Sequence, residues 1–235
     1  MSSAFRVIDR EIEPKQKCYI ICTAYDPDDF SDRLDTLIRK ADERGAKKLF
    51  FTCRDAQAEL DENGFTVSGH VFAFDTDFRI LTKELTNVVP PRRPIRIKPL
   101  RESNAALYRD IFNEIFFDVP NSATVSESDT ADMIENEKRT AGFLMEGGMP
   151  VGVFELDFSD AVPEIASVGI RPDLHGNGYG KAALTLLEND LVKRGYRTVK
   201  LLVAGTNLSA LALYRTGGYR LESIHSRWYK TELPK

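Results

Sequence analysis

The stretch VGIRPDLHGNGYGK, residues 168–181, decides how the rest of the chain is interpreted. Its apolar start is typical of a β-strand, and Pro172 and three alternating glycines then lead into a helix-forming sequence. Gly176, Gly178 and Gly180 lack Cβ atoms and accept the backbone angles that turn consecutive N–H groups toward one anion. The helix that follows adds unpaired N–H groups and the positive end of its dipole. The sequence therefore predicts a strand, a turn that binds a pyrophosphate, and a helix.

The glycine spacing differs from that of the two commoner nucleotide loops. The stretch lacks the Lys-Ser/Thr ending of a P-loop, and G-x-G-x-G is not the G-x-G-x-x-G of a dinucleotide fold. Instead, the pattern Ile170-x-Pro172-x-x-His175-Gly176-x-Gly178-x-Gly180 resembles the acetyl-coenzyme A signature of the Gcn5-related N-acetyltransferase (GNAT) family. That signature usually has Arg or Gln where His175 stands. The difference is small in its effect, because the backbone amides make most of the phosphate contact.

A second pattern further along the chain supports the same resemblance. It places Asn207, Ala210, Tyr214, Gly218 and Tyr219 at the family's spacing, Asn-x-x-Ala-x-x-x-Tyr-x-x-x-Gly-aromatic. Asn207 and Tyr214 lie seven residues apart, about two helical turns, so they are predicted to share one face of a helix. The resemblance covers residues 95–233 and implies an α/β fold with a mixed central β-sheet flanked by helices. It also implies an acyltransferase.

Composition and charge limit the other classes of function. The chain has 235 residues, of which 42% are hydrophobic and 29% charged, as is ordinary for a globular protein. Its net charge is −4, whereas surfaces that bind nucleic acid need clustered Lys and Arg. The only basic run, residues 92–98, lies among prolines. We therefore expect no nucleic-acid partner.

Metal, disulfide and membrane sites are also not expected. Cys18, Cys22 and Cys53 lie in apolar, strand-like surroundings, and the three histidines lack metal-ligand spacing. The N-terminal residues have no apolar h-region, and no stretch approaches the roughly 18 apolar residues that span a bilayer. We expect a cytoplasmic protein without a membrane anchor.

The chain is predicted to contain two related domains, residues 1–91 and 92–235, joined by the proline-rich linker at 87–94. The pattern of residues 32–53 resembles that of residues 184–205 when Arg44-Gly45 is aligned with Arg194-Gly195. In that register, YDPDDF at 25–30 replaces HGNGYG at 175–180. Carboxylates repel an anion and proline has no N–H to donate, so the first domain is interpreted as a degenerate, shortened GNAT-like domain without a coenzyme A site.

Hydrophobic periodicity predicts the elements of both halves. In the first half they are strands at 18–24 and 48–53, a helix over 30–44, a short helix that ends at Asn63-Gly64, and further strands over 65–74. In the second half they are a strand at 95–100, helices over 103–117 and 129–137, and strands at 140–145, 151–158 and 164–170. Ser103 is the predicted N-cap of the first of these helices, and Gly147-Gly148 the predicted hairpin turn.

The resemblance implies which residues contact acetyl-coenzyme A. They are Val168, Gly169, Ile170, His175, Gly176, Asn177, Gly178, Tyr179, Gly180, Lys181, Asn207 and Tyr214. Asn207 would bind through its side-chain amide. Tyr214 matches the family's general acid, which protonates the departing thiolate. The alternative for Tyr214 is an aromatic side chain on the apolar face of a short helix.

The general base and the acceptor are less sharply indicated. Glu164 stands six residues before Ile170, where some family members place the base, and Glu155 and Asp157 are its competitors. Any of the three carboxylates could instead be a solvated edge residue. The family's acceptor channel would include Phe116, Phe117 and the acidic residues 126–137. These carboxylates suit a cationic amine, although a charged helix face is more often simply solvated.

The sequence thus indicates an acetyl-coenzyme A dependent N-acetyltransferase that acetylates a primary amine of a small molecule or peptide by direct attack in a ternary complex. The alternatives are a protein N-terminal or lysine acetyltransferase, and a non-enzymatic acyl-coenzyme A sensor or interaction module. Pairing of the two halves inside one chain would give a monomer with an internal pseudo-dimer, and a homodimer is the other arrangement.

Overall fold

A computed structural model describes residues 2–55, 60–61, 63–120 and 122–233. The chain forms two compact units. The first consists of Met1–Arg79, Ala204–Thr206 and Ile224–Lys235, and the second of Ile80–Val203 and Asn207–Ser223. Three strands contain residues of both units, namely β5 (His70–Glu84), β10 (Thr198–Ala204) and β11 (Arg220–Glu232).

The first unit is built on a parallel β-α-β arrangement. Its remaining elements are β1 (Ala4–Ile8), α1 (Ile12–Lys15), β2 (Lys17–Ala24), α2 (Phe30–Glu43), β3 (Lys48–Cys53) and β4 (Gly64–Val67). Strands β2 and β3 pair in parallel because α2 carries the chain back between them. Strands β1 and β11 add antiparallel partners to β2 and β3 respectively. The core lies where Leu34 and Ile38 of α2 meet Phe51 of β3.

The second unit is a mixed sheet in the order β10-β9-β8-β7-β6. Its remaining elements are β6 (Arg96–Pro99), α3 (Ala105–Phe116), α4 (Glu127–Glu135), β7 (Arg139–Glu146), β8 (Met149–Asp157), β9 (Glu164–Ile170), α5 (Tyr179–Lys193) and α6 (Leu208–Thr216). Strands β6 to β9 pair antiparallel, and β10 joins β9 in parallel after the α5 crossover. The predicted α/β fold with a mixed central sheet is confirmed.

Helices cover both faces of this second sheet. Along β8, Val153 packs with the residues of α3 and α4, whereas the next residue, Phe154, packs with those of α5. This alternation is the two-residue period of a strand with two buried faces. The Tyr108 hydroxyl of α3 donates a hydrogen bond of 3.2 Å to the carbonyl oxygen of Phe154, so its one polar group is satisfied inside the core.

Most predicted elements are present, and their bounds shift for identifiable reasons. Helix α4 begins at Glu127, before the predicted residue 129, because the Ser126 hydroxyl accepts from the Asp129 N–H and the Asp129 carboxylate accepts from the Ser126 N–H. The predicted N-cap at Ser103 is wrong, since Ser103 lies in the short 3-10 turn Glu102–Asn104 that precedes α3. Strand β9 and the hairpin turn at Gly147-Gly148 are confirmed.

Other expectations differ from the structure or lie outside it. Hydrophobic periodicity did not predict β1, α1, β11 or the second half of β5. The short helix predicted to end at Asn63-Gly64 would include residues 56–59 and 62, which lie outside the described residues. The compact units change over at residue 79, and the predicted domain boundary near 92 stays a prediction. That the first domain is degenerate and the second catalytic stays a prediction.

The core of the second unit gives a first test. Leu187 of α5 is fully buried, so Leu187→Ala should lower the free energy of unfolding by about 2–5 kcal/mol in urea denaturation. Leu221 is 58% exposed in the same unit, and Leu221→Ala should stay within about 0.5 kcal/mol of the parent. Equal effects of the two substitutions would contradict the packing of α5 on this sheet.

Candidate functional site

The pairing of strand β9 with one of its neighbours ends near the start of the strand. On one side it pairs with β8 from Glu164 to Ile170. On the other side, its register with β10 in the described chain consists of Glu164 and Ile165. Between Ile165 and Ser167 the register with β8 also slips by one residue, so that Ala166 forms a β-bulge. Bulges bend a strand and end its pairing, and this one coincides with the separation of β9 from β10.

The turn after β9 has an unusual backbone that two glycines allow. The Nε2 atom of His175 lies 2.8 Å from the carbonyl oxygen of Ile170 and closes the turn. Gly176 and Gly178 then have φ values of +77° and +81°, which favour glycine. A Cβ atom on either residue would have no neighbour within 4 Å. Both positions therefore border open space rather than packed protein.

The N–H groups of residues 176–181 are the main feature of the site. Within the described chain none of them donates to a backbone or side-chain acceptor, and the first hydrogen bond of α5 runs from Ala182 to the carbonyl oxygen of Gly178 at 3.1 Å. Consecutive unpaired amides at a helix N-terminus form a binding site for an anion with several oxygens. These N–H groups belong to six of the predicted contact residues, and the binding of coenzyme A by them stays a prediction: Gly176, Asn177, Gly178, Tyr179, Gly180 and Lys181.

The third glycine serves helix packing. A Cβ on Gly180 would lie 3.1 Å from the Cδ2 atom of Leu213, so the missing side chain lets α5 approach α6 closely. Gly169 has a similar role in β9, because a Cβ there would lie 2.4 Å from the Cγ2 atom of Ile115 in α3. The predicted contact residues Val168 and Ile170 contribute to the core beneath α5.

Helix α6 carries the second sequence pattern. The Oδ1 atom of Asn207 accepts the Ala210 N–H at 3.2 Å and caps the helix, and this cap does not use the amide NH2 group. Tyr214 is 8% exposed, and burial raises the pKa of its hydroxyl to about 12. The phenol is therefore protonated at neutral pH, as a general acid must be before it acts.

Three carboxylates of β8 and β9 were candidates for the base. Glu155 is buried, receives a hydrogen bond of 3.1 Å from Arg139, and has its pKa raised by burial. Glu164 is half-buried with the Lys200 Nζ atom at 3.8 Å, and burial raises its pKa as well. For Asp157 burial opposes the shift, but hydrogen bonds from Ser159 lower its pKa.

These shifts separate the three groups as proton acceptors. A carboxylate accepts a proton near neutral pH more readily when its pKa is raised, so Asp157 is the weakest of the three candidates. Glu155 stands opposite Ser167, directly beside the bulge, whereas Glu164 lies at the start of β9. The assignment of Glu164 stays a prediction, and Glu155 remains its competitor.

The predicted acceptor region lies on the α3 side of the sheet. The Phe116 ring at the end of α3 would contact a Cβ on Gly169, so this helix end lies directly against the β9 backbone. Phe117 follows it and is 46% exposed, and the acidic residues of α4 come after it in the chain. The structure thus brings Phe116 close to β9.

One feature of the site was missed from the sequence. Arg93, assigned to the linker, lies with its guanidinium carbon 3.9 Å from the centroid of the Tyr179 ring, and it hydrogen-bonds Glu146. The positive charge of the proline-rich segment was the only signal, and it did not identify a partner.

Comparison with known proteins now decides the family of this region. The profile of the Acetyltransferase (GNAT) family matches residues 105–219, which include β9, the glycine turn, α5 and α6. Residues 105–219 are a GNAT-family acetyltransferase domain. The two sequence patterns that suggested the resemblance both lie within this GNAT domain.

Two curated relatives resemble parts of the chain. [Ribosomal protein bS18]-alanine N-acetyltransferase of Escherichia coli (strain K12) is 35% identical over 65 residues, which are 28% of this chain and 44% of the relative. Mycothiol acetyltransferase of Saccharomonospora viridis is 38% identical over 73 residues, which are 31% of this chain and 20% of the relative. The chain therefore spans less than half of either relative.

Solved structures agree on the fold. A GCN5-related N-acetyltransferase from Sphaerobacter thermophilus has a TM-score of 0.62 at 17% identity and covers 98% of this chain and 76% of its own. A functionally unknown conserved protein from Staphylococcus epidermidis has a TM-score of 0.58 at 14% identity, covering 92% and 85%. The GNAT fold is thus shown by structure as well as by sequence.

The described residues offer neither a membrane-spanning helix nor a cluster of metal ligands. None of the helices in the described residues has both the length and the apolar character needed to cross a bilayer. Over the same residues, His, Cys, Asp and Glu form no group that could hold a metal ion.

The raised pKa of Glu155 gives a test by pH. An acid whose pKa is raised on folding favours the folded state most at low pH, and this contribution falls as pH rises from the unfolded value of about 4.3. Glu155→Gln should therefore lose less stability than the parent between pH 5 and pH 8, measured by urea denaturation at each pH.

The matched control is Asp157→Asn on the same strand. The pKa of Asp157 is lowered, so its contribution is present above the unfolded value and is lost only as pH falls below about 3.9. Its own titration lies below this window, so its substitution should change the slope between pH 5 and pH 8 less than Glu155→Gln does, through the repulsion that Asp157 exerts on Glu155. A Glu155→Gln slope equal to that of the parent would refute the effect of burial.

Proposed function

We propose that this protein is an acetyl-coenzyme A dependent N-acetyltransferase that acetylates a primary amine. The observation that carries the proposal is the row of unpaired N–H groups at residues 176–181, at the N-terminus of α5 and within the GNAT domain. A diphosphate supplies the oxygens that such a row requires. The open space beside Gly176 and Gly178 leaves room for it, so the residues present fit coenzyme A.

The remaining contacts follow the separated strands. Beyond Ile165, the edge of β9 that faces away from β8 has backbone groups available for an extended ligand such as a pantetheine arm. Val168, Gly169 and Ile170 are the residues of this edge nearest the glycine turn. His175 holds the turn through Ile170, and Asn207 keeps an amide NH2 group for the ligand at the start of α6.

Acetyl-coenzyme A supplies the acetyl group as an activated thioester. The chain's own residues then manage protons. Tyr214, with its raised pKa, holds the proton that a sulfur leaving group requires. Glu164, or Glu155 in its place, takes the proton of the attacking amine, and burial makes either carboxylate a better acceptor. Transfer would be direct, with both substrates held at once.

The acceptor is proposed only as a class. One relative is named for an alanine of a ribosomal protein and the other for mycothiol, so both peptide and small-molecule amines occur among proteins similar to this one. The acidic residues of α4 would favour an amine that carries positive charge before it loses its proton.

We further propose that the N-terminal half is a degenerate GNAT-like domain without a coenzyme A site. In the turn before α2 the N–H of Tyr25 donates to Asp55 at 2.8 Å, and that of Asp26 to the hydroxyl of Ser3 at 2.9 Å. The N–H of Asp28 donates to the Asp26 carboxylate, and Pro27 has none to offer. These amides already have partners inside the protein.

Gly178→Ala tests the cofactor site, and Gly195→Ala is its matched control. Both residues have positive φ values, +81° and +94°, and at both a Cβ would have no neighbour within 4 Å. Both substitutions therefore cost a similar backbone strain, of order 1–2 kcal/mol in stability. By titration calorimetry, only Gly178→Ala should weaken coenzyme A binding, by about ten-fold or more, because only its methyl group enters the cradle.

The comparison has a clear negative outcome. Equal affinities of the two variants for coenzyme A would contradict the role of the glycine turn in binding. A parent protein that gives no binding heat with coenzyme A would contradict the proposed function itself.

Tyr214→Phe separates an enzyme from a coenzyme A sensor. General acid catalysis contributes about 10²–10⁴-fold, so the variant should lose at least about 100-fold in kcat while its affinity for coenzyme A stays within about two-fold. Tyr196→Phe, an aromatic residue outside the site, is the control and should keep parental turnover. Turnover is measured as thiol release with amino acids, polyamines, aminoglycosides and peptides as acceptors. A parent that binds coenzyme A but acetylates none of these supports the sensor.

A further inference from the structure

Arg93 makes four kinds of contact at the glycine turn of the GNAT domain. Its Nη1 atom donates to the carbonyl oxygen of Asn177 at 3.2 Å, and its Nη2 atom lies 2.7 Å from the Tyr179 hydroxyl. Its Nε and Nη2 atoms donate to both carboxylate oxygens of Glu146 at 3.2 and 3.0 Å. The guanidinium also stacks on the Tyr179 ring, and the Tyr179 hydroxyl donates to Glu146. These three side chains form what we call the Arg93 clamp.

The charged groups of the Arg93 clamp stabilise one another. The hydrogen bonds from Arg93 lower the pKa of Glu146, and the Glu146 carboxylate in turn raises the pKa of Arg93. The Tyr179 pKa is raised by the same carboxylate, so its phenol keeps the proton that it donates. Because a planar guanidinium fits a carboxylate in a fork, the pair fixes direction as well as distance. The positive charge of Arg93 is thus used within the protein.

The clamp acts on the geometry of the amide row. A turn whose N–H groups face an anion has its carbonyl oxygens directed elsewhere, and those oxygens need donors of their own. Arg93 supplies one to Asn177, between the two glycines of positive φ. Tyr179 is the first residue of α5, and its side chain is almost fully buried in the clamp. The clamp therefore holds both the turn and the helix start from outside.

We propose that Arg93 is a positioning residue that, with Glu146 and Tyr179, pre-organises the amides of residues 176–181 for a diphosphate. The inference rests on the proposed function for the identity of the ligand. A flexible glycine turn loses conformational entropy when it closes on a ligand, and a turn already held in place avoids that loss. As a positioning residue, Arg93 touches neither the reacting atoms nor the ligand.

The rival role for Arg93 is a direct charge contact with a phosphate group of the ligand. Two substitutions separate the roles. Arg93→Lys keeps the charge but cannot form the fork or the flat stack on Tyr179. Glu146→Gln removes the charge that neutralises Arg93 and weakens the fork. Positioning predicts weaker coenzyme A binding in both variants, by about ten-fold, whereas direct charge contact predicts nearly parental binding in the first and tighter binding in the second.

The control is Arg194→Lys at the other end of α5. Arg194 makes two of the same types of contact away from the turn, an ion pair to Asp190 at 2.7 Å and a guanidinium 5.1 Å from the Phe158 ring centroid. It should bind coenzyme A like the parent. Steady-state kinetics adds a second criterion, since Arg93→Lys should raise KM for acetyl-coenzyme A and leave kcat unchanged within about two-fold.

Amide hydrogen exchange on the ligand-free protein tests the clamp without any ligand. Arg93→Lys and Glu146→Gln should speed exchange of the Ala182 and Ala183 amides several-fold, because the helix start is no longer held, and should leave residues 187–191 as in the parent. Unchanged exchange in both variants would overturn the clamp, as would tighter binding by Glu146→Gln. A parent that fails to bind coenzyme A, with the exchange result as expected, would refute the proposed function and keep the clamp.

Discussion

The N–H groups of residues 176–181 lack acceptors within the described chain, and much of the surrounding structure follows from this. A helix always leaves its first amides unpaired, and proteins usually satisfy them with a capping side chain. At α5 the N-cap residue is Gly178, which has no side chain to offer. The turn before it extends the unpaired row outward. Such a row is stable in solution only because water can reach it, so the same site is open to a stronger acceptor.

The sheet is interrupted close to this row of N–H groups, because the pairing between β9 and β10 ends. The pairing of β9 with β10 ends where the bulge at Ala166 lies, and the glycine turn begins at the far end of this strand. Two further glycines allow helices to pack closely around the site. Gly169 allows the close approach of α3, and Gly180 that of α6. Glycine thus has two distinct uses here: positive φ in the turn, and the absence of a side chain beneath packed helices.

Sequence patterns within a few residues predicted β9 and the glycine turn, because neighbouring residues determine these two features. Strand β9 was predicted with its observed bounds, and the turn was recognised, because a buried strand, a proline and alternating glycines are signals within a few residues of one another. The second half of β5 was missed, since its side chains are mostly half-buried and Asp77 and Arg79 within the strand form an ion pair. Such a strand has no clear hydrophobic alternation.

The Arg93 clamp could not have been found in this way. Its contacts join residues 53, 84 and 86 positions apart, and the sequence around Arg93 shows only charge among prolines. The same reason left the general base open, because the pKa of Glu155 or Glu164 depends on burial, and burial is a property of the folded sheet.

The two parallel β-α-β segments differ at the start of their helices. Helices α2 and α5 both end before a glycine of positive φ, Gly45 and Gly195, and both lead into a parallel strand. At the start of α2, however, the protein supplies its own anion: hydrogen bonds from Ser2 and Ser3 lower the pKa of Asp29 to about 2. A ligand phosphate would have to compete with this carboxylate and with the other acidic groups of the turn. Of these two helix starts, the one at α5 has glycines and no acids at residues 175–180, and its amides and dipole have no acceptor within the described chain.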